Sequence, residues 1–226
     1  MVFGWEKNIN DFILLIFMSA LEKIKKAIEE APKSIHPYVV FDFDGTCIVN
    51  DIGEATLAYL CERGLLKSPL LLSNKPMMID EKYHEKIFEK YCSLLKAGRI
   101  GEAYGFNAQL LAGFKVPELT KLVTKVIATE GKNPATRELF RKTIAKGLAV
   151  ISETKKLLEF MSKRKTEIWI VSASPKVLVE VGFRHFFPRV KANIIGTETE
   201  LKNAVFTRKV LYPIPTYEGK REAIQK

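Results

Sequence analysis

The spacing of apolar residues changes several times along the chain, and each change predicts an element. Ile13, Phe17, Leu21, Ile24 and Ile28 recur at helical spacing with charged residues between them. Residues 1–35 therefore predict an amphipathic helix packed on the main domain and closed by Pro32. A continuous apolar run over 38–41 leads straight into Asp42 and predicts a buried parallel strand. Residues 57–66, 85–98, 103–114, 118–131 and 152–165 then carry helix-period apolar positions. Gly98, Gly113, Gly131 and Gly147 are stop signals between them. A second apolar run over 168–171 ends in Ser172, and Ser174-Pro175 opens a helix through Val181. Short strands are expected at 193–196 and 204–206, paired as a hairpin.

Two buried strands separated by a long helical block predict an α/β protein, a Rossmann-like three-layer core interrupted by an all-helical cap. The expected division is an N-terminal helix at 1–35, a core built from 36–53 and 160–226, and a cap from 54–159. In such cores ligands bind at the carboxyl ends of the strands. Asp42 and Ser172 both fall at that edge, so residues far apart in sequence meet in one crevice.

Composition adds little to this picture but excludes several classes. Hydrophobic residues make up 47% of the 226 residues and charged residues 27%, which is a globular balance. The longest apolar stretch, 12–18 extended to Leu21, falls short of the roughly 20 residues of a membrane span. Acidic Glu6 and Asp11 precede it and no small-residue cleavage site follows, so neither a signal peptide nor a membrane partner is expected. Cys47, Cys61 and Cys92 form no Cys-x-x-Cys pair, and His36, His84 and His185 are scattered. A cytoplasmic, disulfide-free protein is expected. The net charge of +10 is spread along the chain without an Arg-rich or aromatic-basic motif, so no nucleic-acid partner is expected.

The candidate chemistry lies in Asp42-Phe43-Asp44-Gly45-Thr46. Two carboxylates directly after an apolar strand are costly unless something pairs with them. The i, i+2 spacing puts both on one side of an extended chain. A hard cation with oxygen ligands is the natural partner, and Mg2+ is the usual one where a phosphate completes its shell. Gly45 permits a tight turn and close approach to a ligand.

The motif Asp-x-Asp-Gly-Thr after a strand resembles the first motif of the haloacid dehalogenase (HAD) superfamily. Ser172 after its strand resembles the second motif, and Lys220 in Tyr217-Glu218-Gly219-Lys220 resembles the third. The insertion between the first two, with Asn50-Asp51-Ile52-Gly53-Glu54 and Ser172-Ala173-Ser174-Pro175, resembles the phosphoserine-phosphatase-like and phosphorylcholine-phosphatase-like branch, which carries a helical cap.

The resemblance implies hydrolysis of a small phosphomonoester through an aspartyl-phosphate. Asp42 would be the nucleophile. Asp44 would be the acid and base, its pKa raised by Asp42 and Asp51. Asp42 and Asp44, the latter through its backbone carbonyl, would hold Mg2+. Ser172, Lys220 and the backbone near Gly45 and Ala173 would hold the phosphate. Asp51 or Glu54 would recognise an amine or quaternary ammonium, with Tyr104, Phe106 and Phe114 as an aromatic wall. The cap position near Asn107 carries no Arg, which counts against phosphoserine and favours another amino-alcohol phosphate. The superfamily's fourth, acidic motif has no match in Arg221–Lys226. Two readings therefore stay open, a Mg2+-dependent phosphatase and a catalytically impaired HAD-like binding or regulatory protein. A core without its last strands would expose a sheet edge, which a homodimer would cover.

Overall fold

The computed structural model describes residues 21–30, 38–69 and 79–225. Helix α1 occupies 21–30, where Leu21 and Ile28 pack against the core while Ile24 stays 44% exposed. Ile13, Phe17 and Pro32, which completed the predicted amphipathic pattern, lie outside the described residues. Strand β1 (Tyr38–Phe41) is followed by helices α2 (Ile52–Glu62), α3 (Glu81–Lys96), α4 (Ile100–Gln109) and α5 (Val116–Glu130). Strands β2 (Ala135–Leu139) and β3 (Lys142–Lys146) come next, then α6 (Ser152–Lys163). Strand β4 (Glu167–Pro175), α7 (Lys176–Phe186), β5 (Asn193–Lys202), β6 (Val205–Leu211) and α8 (Glu218–Ile224) complete the order.

The main sheet runs β1-β4-β5-β6. β1 and β5 lie parallel on either side of β4, and β6 returns antiparallel along β5. This is the predicted α/β core, with the carboxyl ends of β1, β4 and β5 gathered along one edge. One detail differs. β1 was expected to be buried, yet Tyr38 is 63% exposed and Val40 41%. The reason is that β1 pairs only with β4 among the described strands, so it is an edge strand.

The segment 54–159 is also not all-helical, because β2 and β3 form an antiparallel hairpin within it. Phe140 and Arg141, the two residues between the strands, both have positive φ, at 49° and 60°. That is the signature of the tight turn whose twist matches a hairpin. Its usual sequence is Asn-Gly or Asp-Gly, so Phe-Arg hides it. The β5–β6 turn uses the same two positive φ values at Asn203 and Ala204, where Asn is a conventional occupant.

The core runs continuously from the sheet into the helical segment. Phe43, wholly buried between the two motif aspartates, packs on Phe183 of α7, which stacks in turn on Phe187. Gly182 leaves the space for this, since a Cβ there would lie 2.6 Å from Ile52 Cδ1 and 3.1 Å from Phe43. Burying a side chain of this size contributes roughly 1.5–3 kcal/mol. It also anchors the loop from below, which leaves Asp42 and Asp44 to face the crevice.

Candidate active site

Asp42 stands at the end of β1, half-exposed. Its Oδ1 accepts from the Phe43 backbone N–H at 2.8 Å, and its Oδ2 lies 2.7 Å from Lys220 Nζ. Lys220, in α8, therefore meets the end of the first strand directly. Asp44 points inward instead. Its Oδ1 accepts from the Ile52 N–H at 2.8 Å, and its Oδ2 accepts from Ser172 Oγ at 2.8 Å. Asp44 keeps some contact with solvent, but protein surrounds enough of it that desolvation pushes its pKa well above the usual carboxylate range. The neighbouring Asp51 charge adds to the shift, and the bonds from Ile52, Ser172 and Ser174 oppose it. The expected direction is met with a different leading cause, burial rather than repulsion by Asp42.

Ser172 sits where β4 leaves its regular ladder, since the β4–β5 register shifts between Val171 and Pro175. Its hydroxyl donates to Asp44 and accepts from the Ser174 N–H at 3.0 Å. The hydroxyl proton expected to hold phosphate is thus already engaged. Gly45 differs likewise: its N–H donates to Asn50 O at 3.2 Å, and its φ of +70° serves the turn. Ala173 does line the crevice, together with Asp42, Asp44, Ser172, Tyr104, Pro215, Thr216, Tyr217 and Lys220, around a cavity of about 400 Å³.

Asp44 and Tyr104 also face a second cavity of about 460 Å³, walled by Asn50, Asp51, Glu54, Glu130 and Gly147. Its carboxylates have distinct surroundings. Asp51 caps α2 by accepting from the Glu54 N–H at 2.7 Å, and its Oδ2 accepts from Tyr104 Oη at 2.6 Å. Burial nonetheless raises its pKa. Glu130 accepts from the Gly147 N–H at 3.0 Å and pairs with Arg137 at 2.9 Å. Among the described residues no side chain hydrogen-bonds or ion-pairs with the Glu54 carboxylate, and burial with the nearby Asp51 charge pushes its pKa up to about 7, against a smaller opposing effect of Arg137.

The hairpin wall is stitched to the motif loop. Asn50 Nδ2 donates to Lys146 O at 3.0 Å and Gly147 O at 2.8 Å, and the Val49 N–H donates to Ala149 O at 2.7 Å.

Three expected site residues lie elsewhere. Phe106 faces a separate groove, with Lys90 Nζ 4.9 Å above its ring. Phe114 is buried with Lys67 over it. Asn107 is buried beside Gly53, outside both cavities. All three are set by helix packing, so of the proposed aromatic wall Tyr104 alone reaches the site. Glu130, Arg137, Ser174 and Thr216 were not anticipated. Arg137 comes from the hairpin and Thr216 from the 212–219 turn, which no local pattern marks; Glu130 ends α5, and Ser174 lies two residues past Ser172 in β4.

The donor set was tested against Mg2+. Among the described residues no three His, Cys, Asp or Glu side chains gather around one point. Mg2+ does not need such a cage, since it commonly binds through one or two carboxylates, waters and a substrate phosphate. The half-exposed Asp42 carboxylate offers a hard oxygen of that kind. Both Asp44 carboxylate oxygens are engaged, so only its backbone carbonyl would contribute. The residues fit a cation of this chemistry, held in part by substrate.

A strand-borne Asp-x-Asp faces a Lys and a Ser across a parallel sheet edge, on an α/β core of the kind found in haloacid dehalogenase hydrolases. The fold is shared with a HAD family hydrolase from Salmonella enterica at a TM-score of 0.50, with 12% identity over 86% of this chain and 52% of that one. A conserved protein of unknown function from Anaerococcus prevotii matches at a TM-score of 0.63, with 18% identity over 96% and 76% of the two chains. In sequence the chain is similar to a phosphorylcholine phosphatase from Pseudomonas aeruginosa, 28% identical over 186 residues. That match takes in 78% of this chain and 53% of the relative, so the chain spans about half the relative's length. No protein-family model matches.

Proposed function

We propose that the chain carries out Mg2+-dependent hydrolysis of a small phosphomonoester, with an amino-alcohol phosphate of the phosphorylcholine kind as substrate. The observation that carries this reading is the Asp42–Lys220 contact at 2.7 Å beside the inward Asp44, whose pKa burial raises. Asp42 presents a carboxylate to an incoming phosphorus, with Lys220 placed to offset charge on the transferred group. Asp44, whose pKa burial raises, would give a proton to the leaving alkoxide and then take one from the attacking water. Ser172 orients Asp44 through its bond to Oδ2. A bound Mg2+, held by Asp42 and the Asp44 carbonyl, supplies charge neutralisation at the phosphate.

The second cavity supports the substrate class. Glu54, with Asp51 behind it, would face a cationic head group, and Tyr104 would present its ring to that group. The similarity to a phosphorylcholine phosphatase points the same way. The roles of Asp42, Asp44, Ala173, Ser172, Lys220, Asp51 and Glu54 belong to this proposal, as does the division into core and cap. Among the described residues no helix is long and apolar enough to cross a membrane.

The test is turnover of p-nitrophenyl phosphate and phosphorylcholine with Mg2+, beside an Asp42→Asn control. Phosphate release that needs the metal and vanishes in the control is the expected result. Release that survives the substitution overturns the assignment of the nucleophile.

A further inference from the structure

The ammonium group of Lys220 reaches Asp42 from a turn whose shape is set elsewhere. The Thr216 N–H donates to Ile214 O at 2.7 Å, the Gly219 N–H to Thr216 O at 2.7 Å, and the Lys220 N–H to Tyr217 O at 3.1 Å. The turn is closed so tightly that a Cβ on Gly219 would fall onto the Ile214 carbonyl oxygen. Ile214 is thus the base on which the lysine turn is built. Its side chain, in turn, rests on α4: a Cβ on Gly105 would lie 2.9 Å from Ile214 Cδ1. One turn earlier on the same helix face, a Cβ on Gly101 would lie 3.3 Å from Thr216 Oγ1. Between the two glycines α4 carries Tyr104, which lines both cavities and bonds Asp51.

We infer that Gly105 and Ile214 are positioning residues for the phosphate site: the close seating of the 212–219 turn on α4 holds Lys220 against Asp42. The inference rests on the phosphatase reading for its kinetic consequence but not for its geometry. Two glycines inside a helix weaken it locally. Their presence in α4 leaves room for this turn, since a Cβ there would meet the Cδ1 end of Ile214 or come within 3.3 Å of Thr216 Oγ1. A methyl on Gly105 presses on Cδ1, the flexible end of Ile214, and the shift reaches Gly219 and Lys220 to the extent that the Ile214 backbone follows. A misplacement of about 1 Å at such a group lowers turnover by up to about 100-fold.

The relation can be tested by a compensating pair. Gly105→Ala adds the methyl that meets Cδ1, and Ile214→Val removes Cδ1. Gly105→Ala should lower kcat/KM for p-nitrophenyl phosphate on the order of 10- to 100-fold, and Gly105→Ala/Ile214→Val should recover most of the loss. Reductively methylated Lys220, its NMR signal assigned with Lys220→Arg, gives a readout that needs no turnover. The signal should move in Gly105→Ala and return in the double variant. A simple helix-propensity effect would stabilise Gly105→Ala and leave the signal in place. An unmoved Lys220 signal, or a signal that the second substitution does not restore, overturns the inference. Absence of turnover in the parent chain, with the signal behaving as stated, overturns only the phosphatase reading.

Discussion

Tyr104 Oη donates to Asp51 Oδ2 at 2.6 Å, joining the middle of α4 to the residue that caps α2. From Asp51 a polar chain continues through Ser174 Oγ at 3.4 Å, and the Ser174 N–H bonds Ser172 Oγ, which bonds Asp44. The helical segment and the sheet edge thus share one hydrogen-bonded path. Asp51 is held at both oxygens, which leaves Glu54 as the carboxylate of that cavity without a side-chain partner among the described residues. Removing the phenolic hydroxyl alone should expose this arrangement. Tyr104→Phe keeps the ring and deletes one bond to a charged acceptor, a loss of about 1.5–3 kcal/mol. Urea unfolding should show a lower midpoint at an unchanged m-value. An unchanged midpoint would mean that the bond holds nothing together.

Lys220 should matter through its charge. Lys220→Met keeps most of the stem but leaves Asp42 without its ion partner. Turnover should drop about 100-fold or more, comparable with removal of one transition-state donor elsewhere. Steady-state kinetics should place the loss mainly in kcat. A loss confined to KM would assign Lys220 to ground-state binding only.

Glu54 carries a pH signature of defined sign. Its folded-state pKa of about 7 lies above the ordinary 4.5, so the folded protein favours the protonated form. The corresponding stability is fully present below about pH 4.5 and is lost as pH rises through about 7. Glu54→Gln should therefore raise Tm by a few degrees at pH 8 and change it little at pH 4. The same ionisation should strengthen attraction for a cationic head group above pH 7. KM for phosphorylcholine should fall with rising pH in the parent and lose that dependence in Glu54→Gln. A pH-independent difference in Tm between the two proteins would contradict the shift.

Gly147 tests the hairpin wall. Its φ is +95°, and a Cβ would collide with the Asn133 carbonyl oxygen. Its N–H also holds Glu130. Gly147→Ala should cost about 1–3 kcal/mol and enlarge the mouth of the 460 Å³ cavity, read as a lowered urea midpoint and weaker discrimination between phosphorylcholine and p-nitrophenyl phosphate. Full stability in this variant would show that the strand can relax at no cost.

Much of this arrangement is written locally in the chain. The strand–Asp-x-Asp-Gly-Thr unit, the second strand ending in Ser172 and the helical spacing between them depend on side-chain periodicity and on residues within a few positions of each other. Such signals survive in a linear string. The β5–β6 hairpin is legible only in part: strands are expected at 193–196 and 204–206, whereas β5 runs to Lys202 and the turn falls at Asn203 and Ala204.

Tertiary structure alone decided the rest. The β2–β3 hairpin turns on Phe140-Arg141, a pair with no turn preference, and is held by contacts to the motif loop. Phe106, Phe114 and Asn107 look like pocket residues in sequence, yet helix packing turns them away. Burial, a property of the assembled surroundings, raises the pKa of Asp44 and of Glu54. Lys220, on α8, meets Asp42, at the end of β1, across the crevice. Each of these depends on groups distant in sequence sharing a few ångströms of space, which no local pattern records.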